Sequence, residues 1–477
     1  MINVYTNREN YQYDLYALIK SFYPEHDVRV YGEEQRSSKQ DSGDQIIVQL
    51  SDNSMKVLID IDCKKEYEHT YKNNTDAIKK ECKLSIYNDL CDYTGKTLPW
   101  GNLTGIRPTK LSMGMLAEGK KDEEIVAWLK ETHAVSEEKA WLSIDIARRE
   151  KAILDRIHSE NGYSIYIGIP FCPTTCLYCS FTSYPIAVWR KRVKEYLQAL
   201  FREIDFVSKV YKNKILDTVY IGGGTPTTLE AEELDHLLQH VHNRFDFRQV
   251  KELTVEAGRA DSITREKLAV LKKNGVTRIS VNPQTMKDET LKYIGRQHTV
   301  TQVKDAFWLA REVGFDNINM DIILGLPEEL EADVQHTIDE IVQLNPDSLT
   351  VHSLAIKRAS KLSQWIEENG IATLHNTDST MEIARKGAYA LNMKPYYLYR
   401  QKNMSGNFEN VGYAREGKYG IYNILIMEEK QTIVACGAGS ISKRVYPDGL
   451  IKRCENVKDV SQYIERIGEM IERKRVL

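Results

Sequence analysis

Cys172, Cys176 and Cys179 stand in the run Cys-Pro-Thr-Thr-Cys-Leu-Tyr-Cys, so three thiols fall within one short loop. Thiolates are soft ligands that select iron–sulfur clusters, Zn²⁺ or Cu(I). A [4Fe–4S] cluster ordinarily takes four cysteines, so a set of three leaves one iron open to a substrate or cofactor. Two other readings compete: a three-cysteine zinc site completed by His or by a substrate, and three core cysteines. No further C-x₂-C pattern completes a structural zinc site, and core packing gives no reason for this spacing at a strand exit. Cys63, Cys82, Cys91, Cys436 and Cys454 are scattered and read as structural thiols.

The elements that must hold such a loop are legible around it. From Tyr163 onward, six short runs rich in β-branched residues begin at Ser164, Thr218, Glu252, Arg278, Asn317 and Ser348. Amphipathic stretches such as Val188–Val210, Glu230–His242 and Thr301–Val313 separate them. Strands alternating with helices imply a parallel sheet with right-handed crossovers. The fold class is therefore α/β, a partial (β/α)₆ barrel, with an open doubly wound sheet as the fallback. Each run ends in something polar or unusual: the cysteine loop after Ile169, Gly222–Gly224, Glu256, Asn282 with Gln284, Asp321, and His352. Active sites in parallel α/β folds lie at the carboxyl ends of strands. Loop solvation explains one or two such residues, and the whole set poorly.

Outside this core, residues 1–157 read as an N-terminal α/β domain. The stretch Gln45–Asp62 carries a hairpin signal, Glu33–Asp44 a polar loop, and Val135–Ile157 a helix. The core barrel spans 163–356. Residues 357–477 mix helix with a Tyr/Gly-rich β section and read as a C-terminal α+β subdomain leaning over the barrel's open side.

With 65 basic against 68 acidic residues the formal net charge is −3, which leaves no broad footprint for nucleic acid or an anionic membrane. The N-terminus lacks an apolar h-region behind a basic start, and no apolar run is long enough to span a bilayer. A cytoplasmic protein with reduced cysteines is expected.

Five motifs carry a resemblance: Gly168-Ile-Pro-Phe-Cys172 through Cys179, Gly222-Gly-Gly-Thr-Pro-Thr227, Arg278-Ile-Ser-Val-Asn-Pro-Gln284, Gly295-Arg-Gln-His298, and Asn319-Met-Asp321 through Gly325-Leu-Pro327. In this order they resemble the radical S-adenosylmethionine (SAM) superfamily, specifically its oxygen-independent coproporphyrinogen III oxidase-like branch. With Gly105-Ile-Arg-Pro-Thr-Lys110 and the Tyr-rich tail, the chain is most similar to the HemZ-type subgroup.

The resemblance implies a [4Fe–4S] cluster on Cys172, Cys176 and Cys179, with SAM chelating the open iron through its amino and carboxylate groups. It further implies SAM contacts at Tyr166, Phe181, Gly222, Gly223, Gly224, Thr225, Glu256, Gln284, Arg296, Asp321 and Gly325, with Ile323 and Gly325 lining the adenine. Carboxylates and amides suit ribose hydroxyls, and a guanidinium suits the SAM carboxylate. His298 and His352 are candidates for proton transfer or for contact with a tetrapyrrole iron. Tyr396, Tyr397, Tyr399, Arg400 and Lys402 are candidates for stacking on a carboxylate-bearing macrocycle, against the alternative of an aromatic β-edge packed on the barrel. Arg107 and Lys110 read as surface charge.

The implied activity is oxygen-independent oxidative decarboxylation of coproporphyrinogen III to protoporphyrinogen IX. An adenosyl radical would abstract hydrogen from a propionate, and a flavodoxin- or ferredoxin-type donor would supply the electron. One departure bears on it. The coproporphyrinogen-oxidising branch has a further cysteine two places after the third ligand, where this chain has Phe181. The haem-trafficking branch also ends its motif with an aromatic there. A haem-binding chaperone on the same scaffold, or radical chemistry on another tetrapyrrole, is therefore the alternative.

Overall fold

Short runs of five to seven residues, buried throughout in the first and alternating in the fourth, yield the first sheet. In the computed structural model it comprises β1 (Ile2–Thr6), β2 (Val28–Gly32), β3 (Gln45–Leu50), β4 (Ser54–Asp60) and β5 (Lys64–Thr70), in the order β2-β1-β3-β4-β5. The hairpin expected around Asp52-Asn53 is β3–β4, with Val48 opposite Val57. Ile2, Val4, Ile46, Val48, Met55 and Val57 form a core with Leu15 and Ile19 of the helix Gln12–Phe22. The structure describes residues 1–36, 43–71, 76–105, 107–180, 183–356, 360–369, 374–401 and 404–477. Of the polar loop read at 33–44, residues 37–42 lie outside the described ones.

The chain divides into two units, Met1–Arg148 with Leu398–Glu409, and Arg149–Tyr397 with Asn410–Leu477. Within the first, Glu409 accepts from the Trp100 indole N–H at 2.7 Å and pairs with Lys139 at 2.8 Å. The Val135–Ile157 helical pattern becomes the helix Glu137–Leu154.

The second unit is built on six parallel strands. They are β6 (Gly162–Ile169), then, after the short pair β7 (Phe171–Cys172) and β8 (Tyr184–Pro185), β9 (Ile215–Gly223), β10 (Glu252–Glu256), β11 (Arg278–Ser280), β12 (Ile318–Leu324) and β13 (Ser348–Ser353). Apart from the β7–β8 pair, each lies beside its predecessor in sequence and runs parallel to it. Burial is near-continuous along them, as strands covered on both faces require. The helices between them include Val193–Val210, Ala231–Arg244, Val300–Val313 and Glu331–Leu344. This is the expected α/β class.

The C-terminal residues supply strands to both edges of that sheet. β14 (Lys394–Tyr399) and β15 (Asn410–Ala414) extend it beyond β13, with β15 antiparallel to β13. β16 (Thr432–Cys436) runs parallel to β6 on the opposite edge, followed by antiparallel β17 (Ile441–Val445) and β18 (Ile451–Glu455). Among the described residues the sheet has 11 strands. An open parallel sheet exposes unpaired N–H and C=O groups on its outer strands, and these additions satisfy them.

The C-terminal helix Ile467–Arg475 is fixed by charge as well as by apolar contact. Lys474 pairs with Glu203 of the helix Val193–Val210 at 2.7 Å, with side chains 3% and 0% exposed. Glu203 also accepts from Asn456, the Tyr463 hydroxyl and the Gly437 N–H. Removing one partner of a buried pair leaves the other charge uncompensated, at a cost of about 3–5 kcal/mol. Lys474→Met is therefore expected to lower the urea midpoint of unfolding sharply, and adding Glu203→Gln, which removes the stranded charge and keeps a carbonyl acceptor, should recover part of the loss. Equal midpoints for the wild type and Lys474→Met would contradict this.

Candidate functional site

The cysteine loop leaves the sheet at Ile169 and is held by its backbone on several sides. The Thr225 N–H donates to Phe171 O at 2.7 Å, and the Tyr184 N–H to Pro170 O at 2.8 Å. The Leu177 N–H donates to Ile294 O at 2.9 Å, and the Thr174 hydroxyl to Gly295 O at 2.9 Å. Cys176 is buried, while Cys172 and Cys179 are half-buried. Phe181 lies outside the described residues. Burial pushes the Cys172 thiol up to about 11, with Cys179 and Cys176 adding to the rise and the Thr225 hydroxyl and Arg259 opposing it. A thiol so placed is ionised by taking up a metal, which displaces its proton.

Gly222–Gly224 are glycines for steric reasons that the contacts make explicit. A Cβ on Gly224 would lie 2.5 Å from Phe171 O and 2.9 Å from Cys172 Sγ. One on Gly222 would lie 2.8 Å from the Glu256 carboxyl carbon, and Gly223 has φ +114°. The strand end is thus pressed between the cysteine loop and Glu256. Thr225, buried, has its hydroxyl 3.6 Å from Cys172 Sγ.

Glu256, at the end of β10, accepts from the Tyr220 hydroxyl and from the Gly223 N–H at 3.2 Å. Burial pushes its carboxyl up to about 7, the Asp321 charge adds to this, and the two donors oppose it. Burial works to raise Asp321 as well, but His352, Asn319 and Thr350 hold it below the usual carboxylate range. Asn319 donates to it at 2.6 Å, and His352 Nε2 lies 3.8 Å away. The two carboxyls thus have pKa values driven in opposite directions, Glu256 up and Asp321 down. Gln284 has φ +68°, costly for a residue with a Cβ. Its N–H donates to Asp321 O at 3.0 Å and its C=O accepts from Ile323 at 2.9 Å, which stitches the loop after β11 to β12.

Arg296 is buried beside Cys176 and Tyr178. It donates to Asn282 O at 2.7 Å and to the Tyr178 hydroxyl at 3.3 Å. Its Nε and the Asn282 Oδ1 are each buried without a hydrogen-bond partner. Tyr166 stacks on Tyr220 and Tyr422 at ring separations of 6.2 Å. Gly325, after β12, is buried with φ +81°, and Ile323 packs in an apolar cluster that Leu177 and Tyr178 flank.

Other candidates are placed elsewhere. His298 is buried behind the site with its Nδ1 3.7 Å from Asp261. Burial lowers its pKa and keeps it neutral. The Tyr396 and Tyr397 rings are 0% and 5% exposed and pack on each other at 4.9 Å, so they form a buried sheet edge with no face open to a macrocycle. Arg400 is buried and donates to Leu103 O and Asn407 O; Lys402 lies outside the described residues.

Residues 166–341 match the Radical SAM superfamily. The oxygen-independent coproporphyrinogen-III oxidase-like protein HemZ of Bacillus subtilis (strain 168) is 43% identical over 410 residues, covering 85% of this chain and 82% of that protein. The chain belongs to the radical SAM superfamily, in its oxygen-independent coproporphyrinogen III oxidase-like branch. The Heme chaperone HemW of the same organism is 32% identical over 308 residues, 64% of this chain and 76% of that one. The structure of coproporphyrinogen III oxidase (HemN) from Escherichia coli matches with a TM-score of 0.52 at 22% identity, over 67% of this chain and 73% of that one, which supports the fold. The cofactors of this superfamily, a [4Fe–4S] cluster and SAM, are this chain's cofactors. The residues present fit them: three soft donors on one loop, a glycine cradle against Cys172, and an unmet guanidinium donor beside Cys176.

Sequence reasoning missed Arg259, Tyr220 and Tyr422. Arg259 Nη1 lies 3.9 Å from Cys176 Sγ and 2.8 Å from Thr174 Oγ1, while the guanidinium pairs with Asp261 at 2.6 Å. A positive group against a ligating sulfur favours the more negative, reduced cluster. Arg259→Met is expected to lower the cluster's midpoint potential by roughly 60 mV, the equivalent of ~1.4 kcal/mol for one electron. An EPR-monitored redox titration reads it, and an unchanged potential would count against this contact. For Glu256 the sign is set by its raised pKa: protonation in the fold contributes stability that is complete below about pH 4.5 and lost as pH rises through about 7. Glu256→Gln should flatten the fall in urea midpoint between about pH 5 and about pH 8.

Proposed function

We propose that this protein is a radical SAM enzyme that carries out the oxygen-independent oxidative decarboxylation of coproporphyrinogen III to protoporphyrinogen IX. The observation that carries the reading is the seating of the cysteine loop against Gly224 and Thr225, one strand away from Glu256, whose raised pKa the Asp321 charge of β12 augments. When bound, the cluster and SAM supply a carbon-centred radical by one-electron cleavage of the sulfonium.

The chain's residues divide the remaining tasks. Cys172, Cys176 and Cys179 hold the cluster and leave one iron without a protein ligand. Arg296 offers its unmet Nε–H to the SAM carboxylate. The Gly222–Thr225 backbone and Glu256 take the amino group, and Asp321 with Gln284 the ribose hydroxyls. Ile323 and Gly325 line the adenine, and Tyr166 closes the wall behind Gly223. Glu256, near neutrality in its pKa, can accept or donate a hydrogen bond without a full charge change in an enclosed site. Each propionate converted to vinyl loses one hydrogen atom, CO₂ and one electron, so an electron acceptor is needed; a flavodoxin- or ferredoxin-type protein supplies the initial electron.

A second reading is a haem chaperone on the same scaffold. Phe181 in place of a further cysteine and the similarity to Heme chaperone HemW favour it. Anaerobically reconstituted protein given SAM, a reductant, a one-electron acceptor and coproporphyrinogen III should yield protoporphyrinogen IX together with 5′-deoxyadenosine. Cys176→Ala should lose the cluster absorbance and both products. Tight haem binding with no vinyl product would replace the first reading by the second.

A further inference from the structure

In the N-terminal unit, one face of the helix Asp76–Thr94 presents Lys79, Lys80 and Lys83 to a cavity of about 330 Å³ that Asp14, Asn102 and His133 complete. Like charges four residues apart on a helix repel, and nothing in helix formation calls for Lys79 and Lys83 there. One carboxylate answers them: Asp14 lies 2.9 Å from the Lys79 ammonium and 3.6 Å from that of Lys83. Lys83 is held further by the Thr104 hydroxyl at 3.1 Å, and Lys79 by Asn10 O at 3.0 Å. Opposite them, the Asn102 N–H donates to His133 O at 2.9 Å, and His133 Nδ1 meets Asn102 Oδ1 at 2.9 Å. The walls are therefore fixed by hydrogen bonds before any ligand arrives.

The charge of this cavity is unbalanced. Burial lowers the Lys83 pKa and Lys79 lowers it further, with Asp14 opposing them. Burial, helped by Lys83 and Lys80, brings His133 down to about 4, so its ring is neutral. Among the lining residues, three ammonium groups face one carboxylate, an excess of two positive charges.

We propose that this cavity binds a phosphate-bearing small molecule, whose dianionic head sits among Lys79, Lys80 and Lys83. A phosphate monoester carries about −1.5 to −2 at neutral pH, which matches the excess. Ammonium groups act on phosphate as point charges, whereas planar carboxylates are matched by arginine forks, and among the described residues no arginine lines this cavity. The volume lies at the lower end of the ~300–1,000 Å³ typical of small-molecule pockets and exceeds what a bare phosphate fills. The neutral His133 ring can share a hydrogen bond with a hydroxyl on the ligand. The site belongs to the N-terminal unit alone and is independent of the decarboxylase reading.

Isothermal titration of the full chain with glycerol 3-phosphate, at fixed ionic strength and with succinate as a dianionic control, tests this. Saturable binding of glycerol 3-phosphate is expected, weakened roughly tenfold or more by Lys80→Ala through loss of a charge-assisted contact. Lys80 is exposed, so that variant keeps its fold; Lys83→Met, at a more buried position, should abolish binding. No saturable heat, equal affinity in both variants, or succinate binding as tightly as glycerol 3-phosphate would each overturn the assignment.

Discussion

Three thiols can share one inorganic group only if the loop that carries them cannot relax away from it. Here the loop is short, its path is irregular, and its backbone polar groups must find partners in neighbouring elements. They find them on the turn after β9 and the loop before Arg296. Leu362 N–H adds a further contact to Leu177 O at 3.0 Å. Each contact comes from a different strand connection of the same sheet. The loop's position is therefore set by the parallel ladder, and any slip in strand register would move one of the thiols. The glycines follow from this closeness, since Gly224 leaves no room for a side chain against Phe171 and Cys172.

Charge is sorted along the site. Arg259 and Arg296 lie at Cys176, the Glu256 carboxyl lies at the end of β10, and the Asp321 carboxyl lies midway along β12. The cationic end suits sulfurs and a carboxylate, and the acidic end suits an amine and hydroxyls. Asp261 sits behind the cationic end, where burial would raise its pKa but His298 and Arg259 hold it well below the usual range. A fixed anion there keeps the Arg259 guanidinium oriented. His298 thus belongs to the support of the site, which is why a buried histidine near a motif was a poor guide to proton transfer.

The strand ends were legible because a parallel strand buried on both faces reads as an unbroken apolar run, so its polar terminus stands out. The cysteine spacing, Gly222–Gly224 and Glu256 were visible for that reason, whereas Asp321, read as a strand end, sits midway along β12, which continues to Leu324. Tyr220 had a signal that went unread: it is two residues before Gly222, as Tyr166 is before Gly168, and the register pairs Tyr166 with Tyr220. Arg259 had a weaker one, a charged residue directly beyond Glu256-Ala-Gly. Tyr422 had none, because it reaches the site from the helix Ile421–Glu428, whose first N–H groups are capped by Glu252 of β10. A contact across so long a stretch of chain leaves no local pattern.

The destination of the C-terminal chain was hidden for the same reason, and it matters to the site. β16 lies against β6, the strand that launches the cysteine loop. Directly after β16, Gly437 has φ +105°, and a Cβ there would meet Gly168 O at 2.4 Å. The Tyr196 hydroxyl donates to Gly168 O at 2.6 Å and accepts from the Ala438 N–H at 3.1 Å. Glu203 takes the Gly437 N–H while it pairs with Lys474. The end of β6 is thus fixed by a chain of contacts that runs to the last helix of the protein. The same strand that must present Cys172 depends for its rigidity on residues more than two hundred positions away, which joins the stability of the C-terminal segment to the geometry of the thiols.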